Sequence, residues 1–212
     1  HLLENWNNLV HGTLPIWSGM FNSLIIAAAT AVLCVYFSTM TAYAIHAYDF
    51  KLKKFIYPFI LMIMMIPTQV TALGFIKLIT GMGLMDSFIP LIVPAWFGGG
   101  AFYIFLLRQF YLGIPRDFDE AAYLDGASHI QIFTKIILPI TKPALAVVGM
   151  FAFLNSWNDF LNPLVYLNSE KKYTVALGLQ LFTGSYRGEW NLMMAAACLV
   201  LAPVVVVFAI GQ

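Results

Sequence analysis

Apolar residues fill the chain in long stretches, and charged residues gather mainly in the connections between them. A helix that crosses the hydrocarbon core of a membrane needs about 20 mostly apolar residues. Five stretches approach or exceed that length: Phe21–Ala47, Phe55–Ile76, Ser87–Leu107, Ile136–Tyr166 and Leu192–Gln212. The pattern predicts an all-α fold, namely a multi-pass membrane helix bundle in a single domain over residues 1–212.

Proline and glycine interrupt two of these stretches. Pro67 divides the second, and the third holds Pro90, Pro94 and three consecutive glycines at 98–100. Membrane helices tolerate such residues where neighbouring groups satisfy the freed backbone. The glycines are not followed by the lysine of a phosphate-binding loop. We therefore expect no cofactor in this chain.

The composition indicates that lipid rather than water surrounds the helices. Only 10% of the residues are charged, whereas a soluble domain carries about a quarter. The net charge of +1 and the scattered basic residues argue against nucleic acid as a partner. Cys34 and Cys198 lie in apolar runs, where we expect reduced thiols. The four histidines lack metal-ligand spacing, so no metal or catalytic site is expected.

Basic residues are unevenly divided between the connections, and such residues are retained on the cytoplasmic side of a membrane. The larger group lies in the connection 48–54 and the segment 108–142 and comprises Lys51, Lys53, Lys54, Arg108, Arg116, Lys135 and Lys142. The smaller group comprises Lys77, Lys171, Lys172 and Arg187. We therefore predict that the first two segments face the cytoplasm. The start of the chain has no Met and no basic residue, so we expect a further segment before it.

The segment 114–127 stands apart because it concentrates acidic residues. Pro115 and Asp117, with Glu120 three residues after Asp117, predict the start of a helix. Gly126 predicts its end. The result is a short helix on the cytoplasmic face.

A second helix start follows at once, because Ser128 is followed three residues later by Gln131. Pro139 and Pro143 predict a bend near the beginning of this membrane helix. From the residues alone, the short helix before it is either a docking element or an amphipathic helix that covers a loop.

Several motifs in this chain resemble a known family. Glu120-Ala121-Ala122 with Asp125-Gly126-Ala127, Leu138-Pro139 and Pro143 resembles the EAA motif of bacterial ATP-binding-cassette import permeases. The stretch Trp157-Asn158-Asp159-Phe160-Leu161-Asn162-Pro163-Leu164 is similar to the carbohydrate-uptake branch, in particular its maltose-type permeases. The resemblance covers nearly the whole chain, and the EAA segment is its most specific part.

The resemblance implies a type I importer permease fold with six spans, of which five are visible here. It also implies a second permease subunit, two ATPase subunits, an extracytoplasmic solute-binding protein and a bacterial inner-membrane location. The segment 116–130 would then be the cytoplasmic coupling helix. Its candidate ATPase-coupling residues are Glu120, Ala121, Ala122, Asp125 and Gly126.

The implied function is transmembrane import of a mono- or oligosaccharide by alternating access, with the chain itself not an enzyme. Alternatives are an importer permease for another small solute, such as an amino acid or polyamine, and a passive channel.

Two further sets of residues are candidates for solute handling. Polar residues in membrane helices usually face a bundle interior or a water-filled cavity. The candidates for the substrate path are Asn155, Asn158, Asp159 and Asn162, spaced as one helix face, together with Thr68 and Gln69 beside Pro67. The connection 168–191 is rich in aromatics and predicted to be extracytoplasmic. Its candidates for contact with the binding protein are Tyr173, Gly184, Ser185, Tyr186 and Arg187.

Overall fold

The computed structural model describes residues 16–95, 100–115, 117–179 and 190–211, and all regular secondary structure in these ranges is helical. The α-helices are α1 (Ile16–Ala47), α2 (Lys53–Met64), α3 (Thr68–Gly81), α4 (Ile89–Ile92), α5 (Ala101–Leu112), α6 (Asp117–Leu124), α7 (His129–Ile132), α8 (Leu138–Trp157), α9 (Leu161–Tyr166) and α10 (Trp190–Gly211). The prediction of an all-α fold is confirmed.

Within the described residues, two helical stretches pass a test of length and hydropathy for crossing a membrane: α1, and the run His129–Trp157 that ends with α8. The pair α2 and α3, separated at residues 65–67, passes the same test only if it is taken as one broken span. Helix α5 is apolar but shorter than a full crossing, whereas α10 has 22 residues and contains Pro203. The expected five spans are therefore not confirmed as continuous helices.

Prolines account for much of this interruption, because proline cannot donate the backbone hydrogen bond that continues a helix. Pro67 lies directly before α3, and Pro94 lies in a short 3-10 helix, Val93–Ala95. Before Pro139, the chain forms a π-helix over Phe133–Ile137. A π-helix is a wider turn that often accompanies a kink. The irregularity includes residue 135, whose carbonyl would accept from the amide that Pro139 lacks.

Contacts between residues divide the chain into two compact units. Unit 1 comprises His1–Ala31, Thr68–Pro94 and Met150–Gln212, and unit 2 comprises Val32–Pro67 and Ala95–Gly149. The core of unit 1 contains Ala27, Phe153, Trp157 and Val175. In unit 2, the rings of Tyr43 and Tyr111 lie 5.8 Å apart, and that of Tyr43 lies 4.8 Å from Phe133.

The contacts within each unit agree with the grouping of connections by charge. In unit 2, the ring of Tyr48 lies 5.5 Å from that of His129, so the connection 48–54 meets the segment 108–142. In unit 1, the Asn22 side chain donates a hydrogen bond to the carbonyl of Lys171 at 2.9 Å. Segments predicted to share a side of the membrane are therefore neighbours in the fold.

Candidate functional site

Helix α6 begins with an acidic first turn that contains Asp117, Asp119 and Glu120. Carboxylates at this end stabilise a helix because they interact with the positive end of its dipole. The backbone amide of Phe118 donates to the carbonyl of Pro115 at 3.4 Å, which starts the turn. The predicted helix start is thus confirmed.

Helix α6 ends at a glycine bend of the type in which two amides reach back into the last turn. The amide of Gly126 donates to the carbonyl of Tyr123, and that of Ala127 donates to Ala122, both at 3.0 Å. Gly126 has a φ of +82°, and a Cβ there would meet nothing within 4 Å. Glycine is favoured here by backbone conformation rather than by lack of space.

The chain after the bend starts the predicted second helix. The Ser128 amide donates to the Gln131 side chain at 2.8 Å, and the Gln131 amide donates to the Ser128 hydroxyl at 3.4 Å. This reciprocal capping box begins α7. It turns the chain so that the ring of His129 lies 5.7 Å from that of Tyr123.

A cavity of about 410 Å³ lies beside α6 within unit 2. Its walls combine aromatic rings with two carboxylates, and they comprise Tyr43, Ala47, Tyr48, Asp119, Glu120, Tyr123, Leu124, His129 and Ile132. Aromatic faces and carboxylates both attract a positively charged side chain. The cavity is therefore suited to a lysine or arginine presented by another protein.

Large apolar side chains are exposed on α6 and α7. Leu124 is 87% exposed, Ile130 is 76% exposed and Tyr123 is 62% exposed. The exposed Phe118 lies on the same short helix. Clustered exposed apolar side chains rimmed by charge are typical of protein or membrane contact sites.

The five candidate coupling residues have different exposures. Glu120, Ala121, Asp125 and Gly126 are exposed, and Glu120 also lines the cavity. Ala122 is buried at 8% exposure, with its carbonyl accepting the Ala127 amide. Ala122 therefore packs inside its own unit, so Ala121 is the alanine that α6 presents outward. Arg116, at the start of the predicted segment, lies outside the described residues.

The predicted polar face for the substrate path is wrong as a single helix face. Helix α8 ends at Trp157, and α9 begins at Leu161. The Asp159 carboxylate accepts from the backbone amide of Asn162 at 3.2 Å and from its side chain at 2.8 Å. Asp159 and Asn162 therefore close the first turn of α9, while Asn155 and Asn158 are exposed at the end of α8.

Trp157, which neighbours the predicted polar face in sequence, is buried, whereas the two candidates beside Pro67 are exposed. Trp157 is 1% exposed and stacks on Phe153 at 5.6 Å, so it belongs to the core of unit 1. Thr68 and Gln69 are exposed at the first turn of α3. Within the ranges described here, no three His, Cys, Asp or Glu side chains are placed to hold a metal ion.

The connection 168–191 is described only as far as residue 179 and from residue 190 onward. Tyr173 is half-buried, and its carbonyl accepts from Asn22. Gly184, Ser185, Tyr186 and Arg187 lie outside the described residues. The described part is more ordered than a bare loop, since Glu170–Lys172 form a 3-10 turn and residues 175–179 are helical.

Sequence reasoning missed the residue that holds the start of this connection. Asp86, between α3 and α4, accepts hydrogen bonds from residues 168 and 169 and forms an ion pair with Lys172. The only sequence signal was a single acidic residue in an otherwise apolar region.

Comparison with known proteins gives a consistent family relationship. A family model described as "Binding-protein-dependent transport system inner membrane component" matches residues 35–212. The arabinooligosaccharides transport system permease protein AraQ of Bacillus subtilis (strain 168) is 34% identical over 209 residues, which cover 99% of this chain and 74% of AraQ. The sn-glycerol-3-phosphate transport system permease protein UgpE of Shigella flexneri serotype 5b is 32% identical over 219 residues, covering 100% of this chain and 77% of UgpE.

A solved structure supports the fold independently. A chain of a bacterial ABC transporter involved in the import of the acidic polysaccharide alginate superposes with a TM-score of 0.84. The match covers 97% of this chain and 77% of that chain at 23% identity. At this identity the likeness is evidence for the shared fold.

Proposed function

The chain belongs to the family of binding-protein-dependent transport system inner membrane components, and on this premise we propose that it is the permease subunit of an ATP-driven carbohydrate importer in which α6 docks the ATPase. It is a multi-pass protein of the inner membrane. The family is one of transporter subunits, so the chain's role is to form a path for solute.

The observation that carries the docking role is the surface of α6. Its exposed Tyr123 and Leu124 stand beside the exposed carboxylate of Glu120. A helix that only covered a loop would turn its large apolar side chains toward its own chain or toward lipid. Glu120 instead places a charge beside them, and such a mixed surface fits a folded partner whose apolar patch is flanked by a cation.

The cavity beside α6 supplies the specific part of this contact. A lysine or arginine from the ATPase would enter the cavity beside the rings of Tyr123 and His129 and meet the carboxylate of Glu120. The bend at Gly126 joins α6 to the membrane helices through α7 and the π-helix. A movement of the ATPase would therefore be carried to the membrane helices and would alternate access to the solute path.

Carbohydrate is the proposed solute because the exposed amide and hydroxyl side chains fit it and because relatives of this chain are named for such solutes. AraQ is named for arabinooligosaccharides, and UgpE is named for sn-glycerol 3-phosphate, a phosphorylated polyol. Amide and hydroxyl groups bind such solutes by hydrogen bonds, and Asn155, Asn158, Thr68 and Gln69 are exposed. The Asp159–Asn162 pair shapes the turn next to them rather than binding solute directly.

The proposed assembly contains a second permease subunit, two ATPase subunits that bind ATP with Mg, and an extracytoplasmic binding protein that delivers the solute. The test is to purify the complex with its partners, reconstitute it in lipid and measure ATP hydrolysis with separate solutes. These are arabino-oligosaccharides, maltodextrins, sn-glycerol 3-phosphate, an amino-acid mixture and spermidine. Stimulation by a carbohydrate and accumulation of that carbohydrate inside vesicles are expected.

The control is the same complex carrying Glu120→Lys, in which uptake should be lost. Stimulation by amino acids or spermidine alone would contradict the carbohydrate proposal. Solute flux that continues without ATP would instead identify a passive channel.

A further inference from the structure

The carboxylate of Asp86 is the centre of a dense group of hydrogen bonds within unit 1. It accepts from the backbone amides of Asn168 at 3.0 Å and Ser169 at 2.9 Å, and from the Ser169 hydroxyl at 2.6 Å. The ammonium group of Lys172 lies 3.0 Å from the same carboxylate and also donates to the Asp86 carbonyl. The Asp86 amide donates to the carbonyl of Tyr166 at 2.8 Å.

The turn after α3 places Asp86 in this position. The amides of Gly83 and Leu84 donate to the carbonyls of Thr80 and Ile79, which ends α3 at a glycine with a φ of +67°. Asp86 itself has a φ of +56°, a conformation that aspartate and asparagine tolerate better than most residues. The backbone thus directs the Asp86 carboxylate toward residues 168–172.

A second set of contacts holds the same segment from α1. Gly19, Asn22 and Ser23 lie on one face of α1 because they are three and four residues apart. The Asn22 side chain donates to the carbonyls of Lys171 and Tyr173, and the Ser23 hydroxyl accepts from the Val175 amide at 2.8 Å. A Cβ at Gly19 would lie 3.5 Å from the Val175 nitrogen, so the two backbones pass close together.

These two sets of contacts act on different parts of the segment. Ser23 and Val175 are buried, so the contact with α1 belongs to the core of unit 1. Asn168, Ser169 and Glu170 are exposed, so the core does not fix their backbone. Asp86 holds the backbone amides of Asn168 and Ser169 in this exposed stretch, and the 3-10 turn at Glu170–Lys172 continues it.

The electrostatics favour an ionised carboxylate at this position. Hydrogen bonds from Ser169 and Asn168, together with Lys172, hold the pKa of Asp86 well below its usual range. A single exposed ion pair stabilises little. Several donors on one carboxylate fix its geometry more strongly, because charge-assisted hydrogen bonds are stronger than neutral ones.

We propose that Asp86 is a positioning residue for recognition of the binding protein, because it fixes residues 166–172 at the start of the connection 168–191. This proposal rests on the proposed function of the chain as a binding-protein-dependent permease. A contact surface that is ordered before binding loses less conformational entropy on association, so it binds more tightly. Asp86 thereby acts through residues 168–172 and need not touch the binding protein.

The test uses the complete complex reconstituted in lipid nanodiscs with its solute-loaded binding protein. ATP hydrolysis is measured against binding-protein concentration for wild type, Asp86→Asn and Lys172→Met. Asparagine tolerates the same backbone conformation, so Asp86→Asn removes the charge without adding backbone strain. The control is Lys77→Gln, which removes an exposed charge on α3 in the same unit.

The proposal predicts that Asp86→Asn raises the half-stimulating concentration of binding protein about tenfold. The loss of roughly one charge-assisted hydrogen bond weakens an association by about this factor. The maximal stimulated rate should stay within about twofold of wild type, since chemistry and docking of the ATPase are untouched. Lys172→Met should raise the half-stimulating concentration about threefold, as one exposed ion pair allows. Lys77→Gln should not raise it.

Hydrogen exchange of the amides of Asn168 and Ser169 gives a readout that does not depend on transport. Faster exchange in Asp86→Asn with an unchanged half-stimulating concentration would overturn the positioning role, and unchanged exchange would overturn the anchor itself. If Asp86→Asn does not assemble, the half-stimulating concentration and the hydrogen exchange of Lys172→Met test the proposal instead. A wild-type complex that the binding protein does not stimulate would count against the proposed function, whereas the exchange data would still decide whether Asp86 orders the segment.

Discussion

The rings of Tyr123 and His129 lie 5.7 Å apart with their planes tilted by 30°, although the bend at Gly126 separates them along the chain. This contact closes α6 back onto α7 and forms one wall of the cavity that Glu120 also lines. The orientation of α6 therefore depends on the backbone at Gly126.

Substitutions at Gly126 should separate backbone effects from size effects, because a Cβ there meets no neighbouring atom. Gly126→Pro should abolish uptake, since proline fixes φ at about −65° where the chain needs +82°. Gly126→Ala should destabilise the bend by about 1–2 kcal/mol, because a residue with a Cβ is strained in the left-handed conformation. Gly126→Asn should have uptake closest to wild type. Solute uptake, normalised to the amount of subunit in the membrane, measures the series. Equal uptake by the proline variant would show that the bend is not needed.

Charge reversal at Glu120 should weaken docking of the ATPase. Glu120→Lys places a cation in the cavity that we propose for a partner cation, and we expect at least about tenfold less copurified ATPase. Asp117→Lys is the matched control, because Asp117 is also exposed in the first turn of α6 but does not line the cavity. If both variants retain the ATPase equally well, the contact does not involve Glu120.

The predicted orientation can be tested by labelling single cysteines with a membrane-impermeant thiol reagent. Cys198 is exposed and should first be replaced by serine, whereas Cys34 is buried. Asp125→Cys should react only from the cytoplasmic side, and Glu170→Cys only from the opposite side. Glu170 is preferred to Ser169 because the Ser169 hydroxyl is bonded to Asp86. Labelling in the reverse pattern would exclude α6 as a docking site for a cytoplasmic ATPase.

Asp86 should make the stability of the subunit depend on acid pH. Its folded-state pKa is lowered by hydrogen bonds from Ser169 and Asn168 and by Lys172, whereas an unfolded aspartate has a pKa of about 3.9. Its stabilising contribution is therefore present above that value and is lost as the pH falls toward the folded-state pKa. The difference in melting temperature between wild type and Asp86→Asn in detergent should be constant from neutral pH to about pH 5. It should then narrow below about pH 4, and a difference that does not narrow would assign the effect to another group.

Trp157 should behave as a core residue rather than as a ring that stacks on sugar. Trp157→Ala should destabilise the subunit by about 3 kcal/mol, as for other buried aromatic truncations. Trp157→Phe retains the stack with Phe153 and should transport with an unchanged half-saturating solute concentration. Thermal unfolding and uptake kinetics measure the two effects. A large rise in the half-saturating concentration for Trp157→Phe would indicate direct contact with solute.

Local patterns in the sequence predicted the helix starts and ends that depend on hydrogen bonds between near neighbours. The capping box at Ser128, the helix start near Asp117 and the stop at Gly126 each depend on hydrogen bonds between residues three to five positions apart. The position of the long helix α1 follows from the length of its apolar run. The contact of Tyr48 with His129 joins two connections that the distribution of basic residues assigned to one side, and the orientation itself stays a prediction.

Local sequence patterns did not show which face of each membrane helix is buried. A helix in lipid is apolar on the side that packs and on the side that meets lipid, so its sequence carries little signal for direction. On α1, Ile26 is buried and Val32 is exposed, although both are apolar. The burial of Trp157 and of Ala122 was decided by which helices meet.

The sequence by itself determined the all-helical membrane fold, the family motif and the start and end of the short helix α6, because each is set by composition or by neighbours along the chain. Only the tertiary structure paired Asp159 with Asn162 at the start of α9 instead of leaving one continuous polar face. It alone joined Asp86 to Lys172, which are 86 positions apart. Such a pair depends on how separate helices end and pack, since a carboxylate and an amine distant in sequence meet only when the intervening chain brings them within hydrogen-bond distance.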